Sequence, residues 1–302
     1  MKPTYSDKDL MKLLDVDEAT LSRFKQIQKE TILQAKKLFA KPKGKLNIIG
    51  VSGSARDEFN YAQEKSNSET LLEEALNECK KLGAKTELIK LRNYSIKPCK
   101  ACYSTTNTQC HYPCSCYPRG TIEGDDMSNI LYDKVIVADA IIFATPVNNF
   151  KVSSFMSLFM DRLISLDGSL SPANPKNPKD KELNIKHTKF VELTANDSTN
   201  GYGFLRRFAG KVGVMIATGH EEGASMPISS LYMTMSQWGM LFPAFSNMYA
   251  MSTVANPTYS DKEFVTSTFY KKEAELLAKN VVALTKLVKD KKEIWSVDKT
   301  KN

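Results

Sequence analysis

Short apolar runs alternate along the chain with longer segments in which apolar residues recur every three or four positions. The short runs "LNIIGVSG", "TELIKL", "AIIFATP", "GKVGVMIATG" and "LFPAFSNMYAM" predict buried strands. Segments such as "SNSETLLEEALNECKKLG", "DDMSNILYDKVIVA" and "KVSSFMSLFMDRLISL" predict amphipathic helices between them. Strands that alternate with helices of this length need crossover connections, so we expect an α/β fold in which helices cover both faces of a parallel sheet.

The N-terminal segment, residues 1–44, lies before the first strand and predicts a helical arm. A helix that starts near Asp17 carries one broad apolar stripe: Leu21, Phe24, Ile27, Ile32, Ala35, Leu38 and Phe39. We expect the stripe to pack on this chain's own domain. The alternative is that it embraces a partner subunit, although so short a stripe lacks the strict heptads of a coiled coil.

The main domain is predicted over residues 45–290, followed by a tail at 291–302. One stretch breaks its strand-helix rhythm: residues 168–210 contain Pro172, Pro175 and Pro178 and read as an inserted flap. Long loops of this kind are usually functional or mobile.

Composition narrows the classes of partner. The net charge is +8, from 42 Lys and Arg against 34 Asp and Glu, but the two signs are interspersed. A basic stripe with interleaved aromatic residues is missing, so we do not expect nucleic-acid binding. The sequence has neither a secretory leader at its start nor a run of about 20 apolar residues, and we therefore expect a cytoplasmic protein without membrane spans.

Three strand ends carry candidate chemistry, because ligands of parallel α/β sheets bind beyond the carboxyl ends of the strands. The first, "GVSGSAR" followed by "KSNSETLL", offers small residues, hydroxyls, Arg56 and a helix start, which together suit a phosphate group. It lacks the GxxxxGK[ST] and GxGxxG motifs. The second, "TPVNNF", offers amides suited to a flat heterocycle, and the third, "ATGHEEGAS", brackets His220 with glycines. A lone histidine is more often structural than catalytic.

Together these three loops resemble the NADPH-dependent FMN reductase family, including its iron-sulfur flavoprotein branch, over roughly residues 45 to 250. The resemblance implies a flavodoxin-like open parallel sheet of five strands that binds FMN. The FMN-binding residues that it implies are Ser54, Arg56, Ser66, Asn67 and Ser68 at the phosphate, Pro146, Val147, Asn148, Asn149 and Phe150 at the ribityl chain and ring, and Gly219, His220 and Glu221 bordering the ring. This chain departs from the family in having Asn148 where an aromatic residue is common, and "DEFNYAQEK" inserted between Arg56 and Ser66.

The resemblance also implies a function: NAD(P)H as co-substrate reduces FMN, and a small acceptor such as a quinone or flavin then takes the electrons. It implies a homodimer or higher homo-oligomer, for which the apolar face of the helix from Ser153 to Leu166 is the candidate surface. Because the flavin carries out the hydride chemistry, no catalytic residue is assigned. The alternatives are an electron-transfer protein that exchanges electrons with a protein partner, and a thiol or metal sensor without turnover.

The loop at residues 99–120 holds Cys99, Cys102, Cys110, Cys114 and Cys116, five of the six cysteines. Four thiolates are what a tetrahedral zinc or a [4Fe-4S] cluster requires. The related iron-sulfur flavoproteins carry a compact cysteine run at this place, whereas Thr105 stands here where that run has its third cysteine. Three readings therefore remain: an iron-sulfur cluster, a zinc ion, or metal-free thiols within a folded loop.

Overall fold

The computed structural model describes residues 5–40, 44–103, 109–120, 125–195, 204–219, 225–251 and 267–291. Its strands are β1 (Asn47–Ser52), β2 (Lys85–Lys90), β3 (Ala140–Asn148), β4 (Lys151–Val152), β5 (Val212–Gly219) and β6 (Asn247–Met251). They form one sheet with the order β2-β1-β3-β5-β6, and every pair along this path is parallel. The five-stranded parallel sheet is therefore confirmed. The two-residue strand β4, which the sequence did not indicate, pairs antiparallel with the end of β3.

Helices cover both faces of the sheet, as predicted. The described helices are α1 (Asp7–Leu14), α2 (Glu18–Leu38), α3 (Asn67–Lys81), α4 (Tyr132–Val137), α5 (Ser154–Leu163), α6 (Lys181–Thr194), α7 (Ser225–Gln237) and α8 (Thr268–Lys289). Alternate strand residues point to opposite faces, so that Ile48 packs with α3 and α8 whereas Ile49 packs with α5 and α7. The segment predicted as one helix from "DDM" begins instead as a π-helical turn at Met127–Leu131 before α4.

The N-terminal arm consists of α1 and α2. Asp17 caps α2 by accepting a hydrogen bond from the Thr20 N–H at 2.8 Å, which is why this helix begins at Glu18. Leu21 and Phe24 on its apolar stripe are buried in this chain's own cluster. The interpretation that the stripe packs on its own chain is therefore confirmed.

Helix α6 lies inside residues 168–210, the segment predicted as an inserted flap, and the loop interpretation is wrong there. Asp180 caps the helix, and Phe190 and Val191 pack against Leu14 and Phe24 of the arm. The three prolines all precede Asp180, so nothing after them prevents helix formation. The arm and this segment thus share one small apolar cluster beside the main sheet.

None of the helices in the described ranges is long and apolar enough to cross a membrane.

Candidate functional site

The carboxyl ends of β1, β3 and β5 lie side by side. Ser52, the last residue of β1, is in register with Ala144 of β3, and Pro146 of β3 is in register with Thr218 of β5. The loops that leave these three strands therefore share one edge of the sheet, where a doubly wound fold binds its ligand.

The first loop joins β1 to α3 and brings buried hydroxyls to the start of that helix. Ser54, Ser66 and Ser68 are all buried, and the Ser66 and Ser68 hydroxyl oxygens lie 3.0 Å apart. Ser66 is the N-cap residue, yet its side chain makes no capping hydrogen bond to the first turn. The N–H groups of that turn have no intrahelical acceptor, and they are therefore free to bind an anion. Asn67 is half-buried and Arg56 is exposed at the same loop.

A carboxylate also lies in the first turn of α3, where it could repel a phosphate, but its charge is neutralised. Glu69 accepts a hydrogen bond from the Ser52 hydroxyl at 3.1 Å and forms ion pairs with Arg92 at 2.5 Å and Lys90 at 2.8 Å. Burial alone would raise the pKa of Glu69, but the hydrogen bonds and charges of Arg92 and Lys90 outweigh it and hold the pKa at about 2. The loop therefore keeps a positive balance around this carboxylate.

Ser153 ties the first loop to the second. Its hydroxyl donates to the Gly53 carbonyl at 2.5 Å and accepts from the Met156 N–H at 3.2 Å, and its N–H donates to the Thr145 hydroxyl at 3.0 Å. A Cβ on Gly53 would lie 2.7 Å from the Ser153 Oγ and 2.9 Å from the Met156 Cβ. Only glycine fits at position 53. Sequence reasoning missed Ser153, although its place before "SFMSLFM" is typical of an N-cap.

The second loop is a hairpin between β3 and β4. Val147 pairs with Val152 and Asn148 pairs with Lys151, which leaves Asn149 and Phe150 as the turn. Both have positive φ, 50° and 63°, as a type I′ turn requires. Asn148, Asn149 and Phe150 are exposed, Pro146 is half-buried, and Val147 packs into the core. The hairpin thus presents amides and one aromatic ring at the sheet edge.

The third loop follows Gly219, the last residue of β5, which pairs with Met251 of β6. Of the three residues predicted to border the ring, Gly219 reaches the same edge. His220 and Glu221 lie outside the described residues.

A buried arginine anchors the ends of the cysteine loop. Arg162 pairs with Asp125 at 2.7 Å and donates to the Lys97 carbonyl at 2.9 Å, and its guanidinium lies 4.4 Å from the centre of the Tyr117 ring. The Tyr117 hydroxyl in turn donates to the Pro98 carbonyl at 2.8 Å. The loop is therefore a folded part of the molecule.

The five thiols are close in sequence, but they do not form a four-ligand set. Cys116 Sγ donates to Cys102 Sγ at 3.5 Å, whereas Cys110 is buried and its backbone pairs with Leu170. Burial, together with the neighbouring thiols, raises the pKa of Cys110 to about 12. The pKa of Cys114 is also raised, first by its hydrogen bond with Cys116 and then by burial.

Among the described His, Cys, Asp and Glu side chains, no group of three is placed to hold a metal ion. Thiolate is the right kind of ligand for zinc or an iron-sulfur cluster, but this arrangement does not fit either one. Thr105, the departure from the related cysteine run, lies outside the described residues.

A cavity of about 660 Å³ lies between the cysteine loop, α5 and α7. Cys99 and Tyr103 form one wall, Trp238 directly follows α7, and Val152 comes from the hairpin. The cavity therefore adjoins the second loop of the sheet edge.

Counting the parallel strands alone, the sheet order is 2-1-3-4-5, and with the three strand-end loops it defines a flavodoxin-like protein. Residues 46–186 match the family model described as NADPH-dependent FMN reductase. This region is just under half of the chain, and the curated relatives that the chain matches are iron-sulfur flavoproteins.

Two such relatives illustrate the extent of the similarity. An iron-sulfur flavoprotein of Archaeoglobus fulgidus is 33% identical over 104 residues, covering 34% of this chain and 46% of the relative. One of Methanosarcina thermophila is 31% identical over 156 residues, covering 52% of this chain and 66% of the relative. The alignments thus span about half to two thirds of the relatives' length.

Among solved structures, RosB with the bound intermediate 8-demethyl-8-formylriboflavin-5'-phosphate is similar in fold. Its TM-score is 0.54 at 15% identity, and the match covers 81% of each chain. At this identity the similarity concerns the fold alone.

Proposed function

We propose that the chain is an FMN-dependent oxidoreductase that takes electrons from NAD(P)H and passes them to a small acceptor such as a quinone or a free flavin. One observation carries the proposal. At the carboxyl edge of the sheet, α3 starts with buried hydroxyls and without a side-chain cap, beside an exposed hairpin turn. The match of residues 46–186 to the family model of NADPH-dependent FMN reductases supports the same assignment.

The first loop would hold the phosphate of FMN. The first-turn N–H groups of α3 and the hydroxyls of Ser54, Ser66 and Ser68 supply hydrogen-bond donors, and Arg56 adds a positive charge. The helix dipole favours an anion at this end, and the ion pairs of Glu69 prevent that carboxylate from opposing it.

The second loop would place the flavin ring. Asn148 and Asn149 can donate and accept hydrogen bonds along the ring edge, and the exposed Phe150 offers an aromatic face. Gly219, His220 and Glu221 are proposed to border the ring from the third loop. When bound, FMN supplies the capacity to accept a hydride and release electrons singly or in pairs, whereas the protein fixes its position and surroundings. The cavity beside Val152 is the proposed place of the acceptor.

We also propose that the chain forms a homodimer. Helix α5 was expected to offer an apolar face to a partner, but Met156, Phe159 and Leu163 are buried in this chain's own core. Exposed apolar side chains near the proposed flavin site include Phe150 of the hairpin, which is 53% exposed, and Met233 of α7, which is 70% exposed. This surface is therefore the better candidate for the contact. Sedimentation of Met233→Lys against the parent chain tests it, and an unchanged mass would contradict the assignment.

The functional proposal is tested by an assay with the purified protein. We expect a bound flavin, and steady oxidation of NADPH or NADH when a quinone or free flavin is supplied. Ser66→Ala should lower the affinity for FMN while leaving the fold intact, and Ser154→Ala at a neighbouring exposed site is the control. A flavin-loaded protein that oxidises neither nicotinamide would contradict the enzymatic assignment.

The second candidate is an electron-transfer protein that exchanges electrons with a protein partner. It is favoured by the similarity to the iron-sulfur flavoproteins of Archaeoglobus fulgidus and Methanosarcina thermophila and by the number of cysteines in the loop, although the thiols are not arranged as a ligand set. Reduction of the bound flavin by reduced ferredoxin, without any reaction with NAD(P)H, would select this candidate. Iron and sulfide analysis after anaerobic purification shows whether the thiols take up a cluster.

A further inference from the structure

A second cavity, of about 600 Å³, lies at the opposite edge of the sheet. Its wall includes Asn47, the first residue of β1, and Asp139, which directly precedes β3. These residues mark the amino ends of the strands, whereas the proposed flavin loops follow the carboxyl ends. A strand of six residues separates the two edges by about 20 Å. The proposed function does not use this cavity.

The cavity contains a buried cation that has no counter-ion among the described residues. Arg207 is 5% exposed, and its guanidinium lies 4.3 Å from the centre of the Tyr112 ring, which also lines the cavity. It donates to the Ser169 hydroxyl at 3.0 Å and, more weakly, to the Leu205 carbonyl and the Gln34 side chain, both at 3.4 Å. Within the described residues no carboxylate comes within 4.0 Å of it.

A buried charge of this kind is costly unless it is paired. Burial lowers the pKa of Arg207 to about 10, in keeping with the missing counter-charge. Arg162, the other buried arginine of the core, has Asp125 as its partner at 2.7 Å. The contrast indicates that Arg207 takes its anion from outside the chain.

The remaining charges around the cavity leave a positive surplus. Two carboxylates line it, but Asp139 is paired with Lys289 at 2.9 Å, and Asp133 is paired with Arg119 at 2.8 Å. Lys37 and Lys45 also line the cavity and are exposed at its rim. Arg207, Lys37 and Lys45 thus face the same space.

We propose that this cavity binds a small organic anion whose carboxylate or phosphate group pairs with Arg207, with its apolar body against Leu38, Ile136 and Leu205. Lys37 and Lys45 attract the anion and contact its exposed end. Leu38, Ile136, Val137 and Leu205 supply the apolar wall, and the volume suits a ligand of metabolite size. The site is separate from the flavin loops, so an occupant can bind while the flavin site is filled.

The test is a calorimetric titration of the full-length protein with inorganic phosphate and, separately, with benzoate, in chloride buffer of matched ionic strength. We expect saturable binding of at least one probe with one site per chain, and the better probe identifies the head group. The double variant Lys37→Glu, Lys45→Glu changes only exposed rim residues and should weaken that binding about tenfold. Arg207→Met should abolish it.

Two controls separate this site from the flavin loops and from misfolding. Phosphate can also bind at the start of α3, so Arg56→Ala must leave the affinity unchanged if the cavity is the site. If Arg207→Met does not fold, the rim variant decides the question alone. The proposal is overturned if neither probe binds saturably, if the rim variant binds as the parent does, or if Arg56→Ala removes the binding.

Discussion

The strand-end loops at the carboxyl edge, which we propose bind the flavin and here call the flavin loops, differ from the cysteine loop in how many of their polar groups already have hydrogen-bond partners. At the start of α3, Ser66 makes no capping bond, and the amides of Asn148 and Asn149 are exposed. At the base of the cysteine loop, Arg162 donates hydrogen bonds to Asp125, the Lys97 carbonyl and the Ser128 hydroxyl. A loop with open donors is prepared for a ligand, whereas a loop with paired donors holds the fold together. The cysteine loop has the most reactive side chains, but the strand-end loops have more polar groups available to bind a ligand.

The largest expected effect comes from removing the anchor of the cysteine loop. Arg162→Met leaves Asp125 buried without its counter-charge, which should cost about 3–5 kcal/mol of unfolding free energy. The matched control is Arg119→Met, which breaks an exposed pair with Asp133 and should cost at most about 1 kcal/mol. Urea denaturation measures both. Equal losses would show that the buried pair does not anchor the loop.

Acid should lower the free energy of unfolding through two buried histidines, His111 in the cysteine loop and His187 on α6. Burial lowers the pKa of His111 and of His187 to about 4, so both are neutral when folded, whereas the unfolded chain binds protons below pH about 6.5. Stability therefore falls as the pH drops from 6.5 towards 4, by about 2 kcal/mol for each histidine between pH 7 and 5. Unfolding free energies at the two pH values measure this loss.

The variant His187→Phe tests which group is responsible. Within the part of the chain that the structure describes, neither ring nitrogen of His187 has a hydrogen-bond partner, and the centre of its ring lies 4.9 Å from that of Phe24. Phenylalanine should therefore fit and remove about half of the pH dependence. A variant with the parent's full pH dependence would assign the effect to other groups.

Gly53 connects the two flavin loops and should be sensitive to a single methyl group. Gly53→Ala places a Cβ against Ser153 and Met156, and the forced shift should cost about 1–3 kcal/mol and at least tenfold in FMN affinity. Ser154→Ala, at an exposed neighbouring position, should change neither. FMN titration followed by flavin fluorescence measures the affinity. Unchanged binding by Gly53→Ala would show that position 53 does not affect the FMN site.

The smallest effects are expected from two serines that differ in hydrogen bonding: Ser153 caps a helix, whereas Ser66 makes no capping bond. Ser153→Ala removes a helix cap and the bond to the Gly53 carbonyl, which should cost about 1–2 kcal/mol. Ser66→Ala removes no capping bond and should leave stability nearly unchanged, yet it should weaken FMN binding. If the two variants lose equal stability and equal affinity for FMN, Ser153 and Ser66 do not have the different roles proposed here.

The sequence predicted the sheet and its strand-end loops because both depend on local patterns. Apolar runs and helical periodicity lie within single elements, and parallel strands must be joined by crossovers. Helix α6 was missed because the three prolines of residues 168–210 favoured a loop, although they all precede Asp180, where the helix is capped. The hairpin was likewise missed, because its turn uses Asn149 and Phe150 at positive φ rather than glycine.

The unpredicted parts of the site come from contacts between distant residues. Glu69 is neutralised by Arg92, 23 positions away, and Ser153 reaches Gly53 across 100 positions. The spacing of the cysteines could not predict how the thiols are placed, because the loop conformation also depends on contacts that Tyr117 makes with Pro98 and Arg162.

The most direct test of the central claim is the identity and amount of the flavin that the chain binds at the strand-end loops. The protein is purified, denatured to release its ligand, and the supernatant is analysed by mass and absorbance; a parallel sample is titrated with added FMN. We predict one FMN per chain, on purification or after titration, with weaker binding in Gly53→Ala and parent-like binding in Cys102→Ser. A chain that neither carries flavin nor binds added FMN would contradict the account.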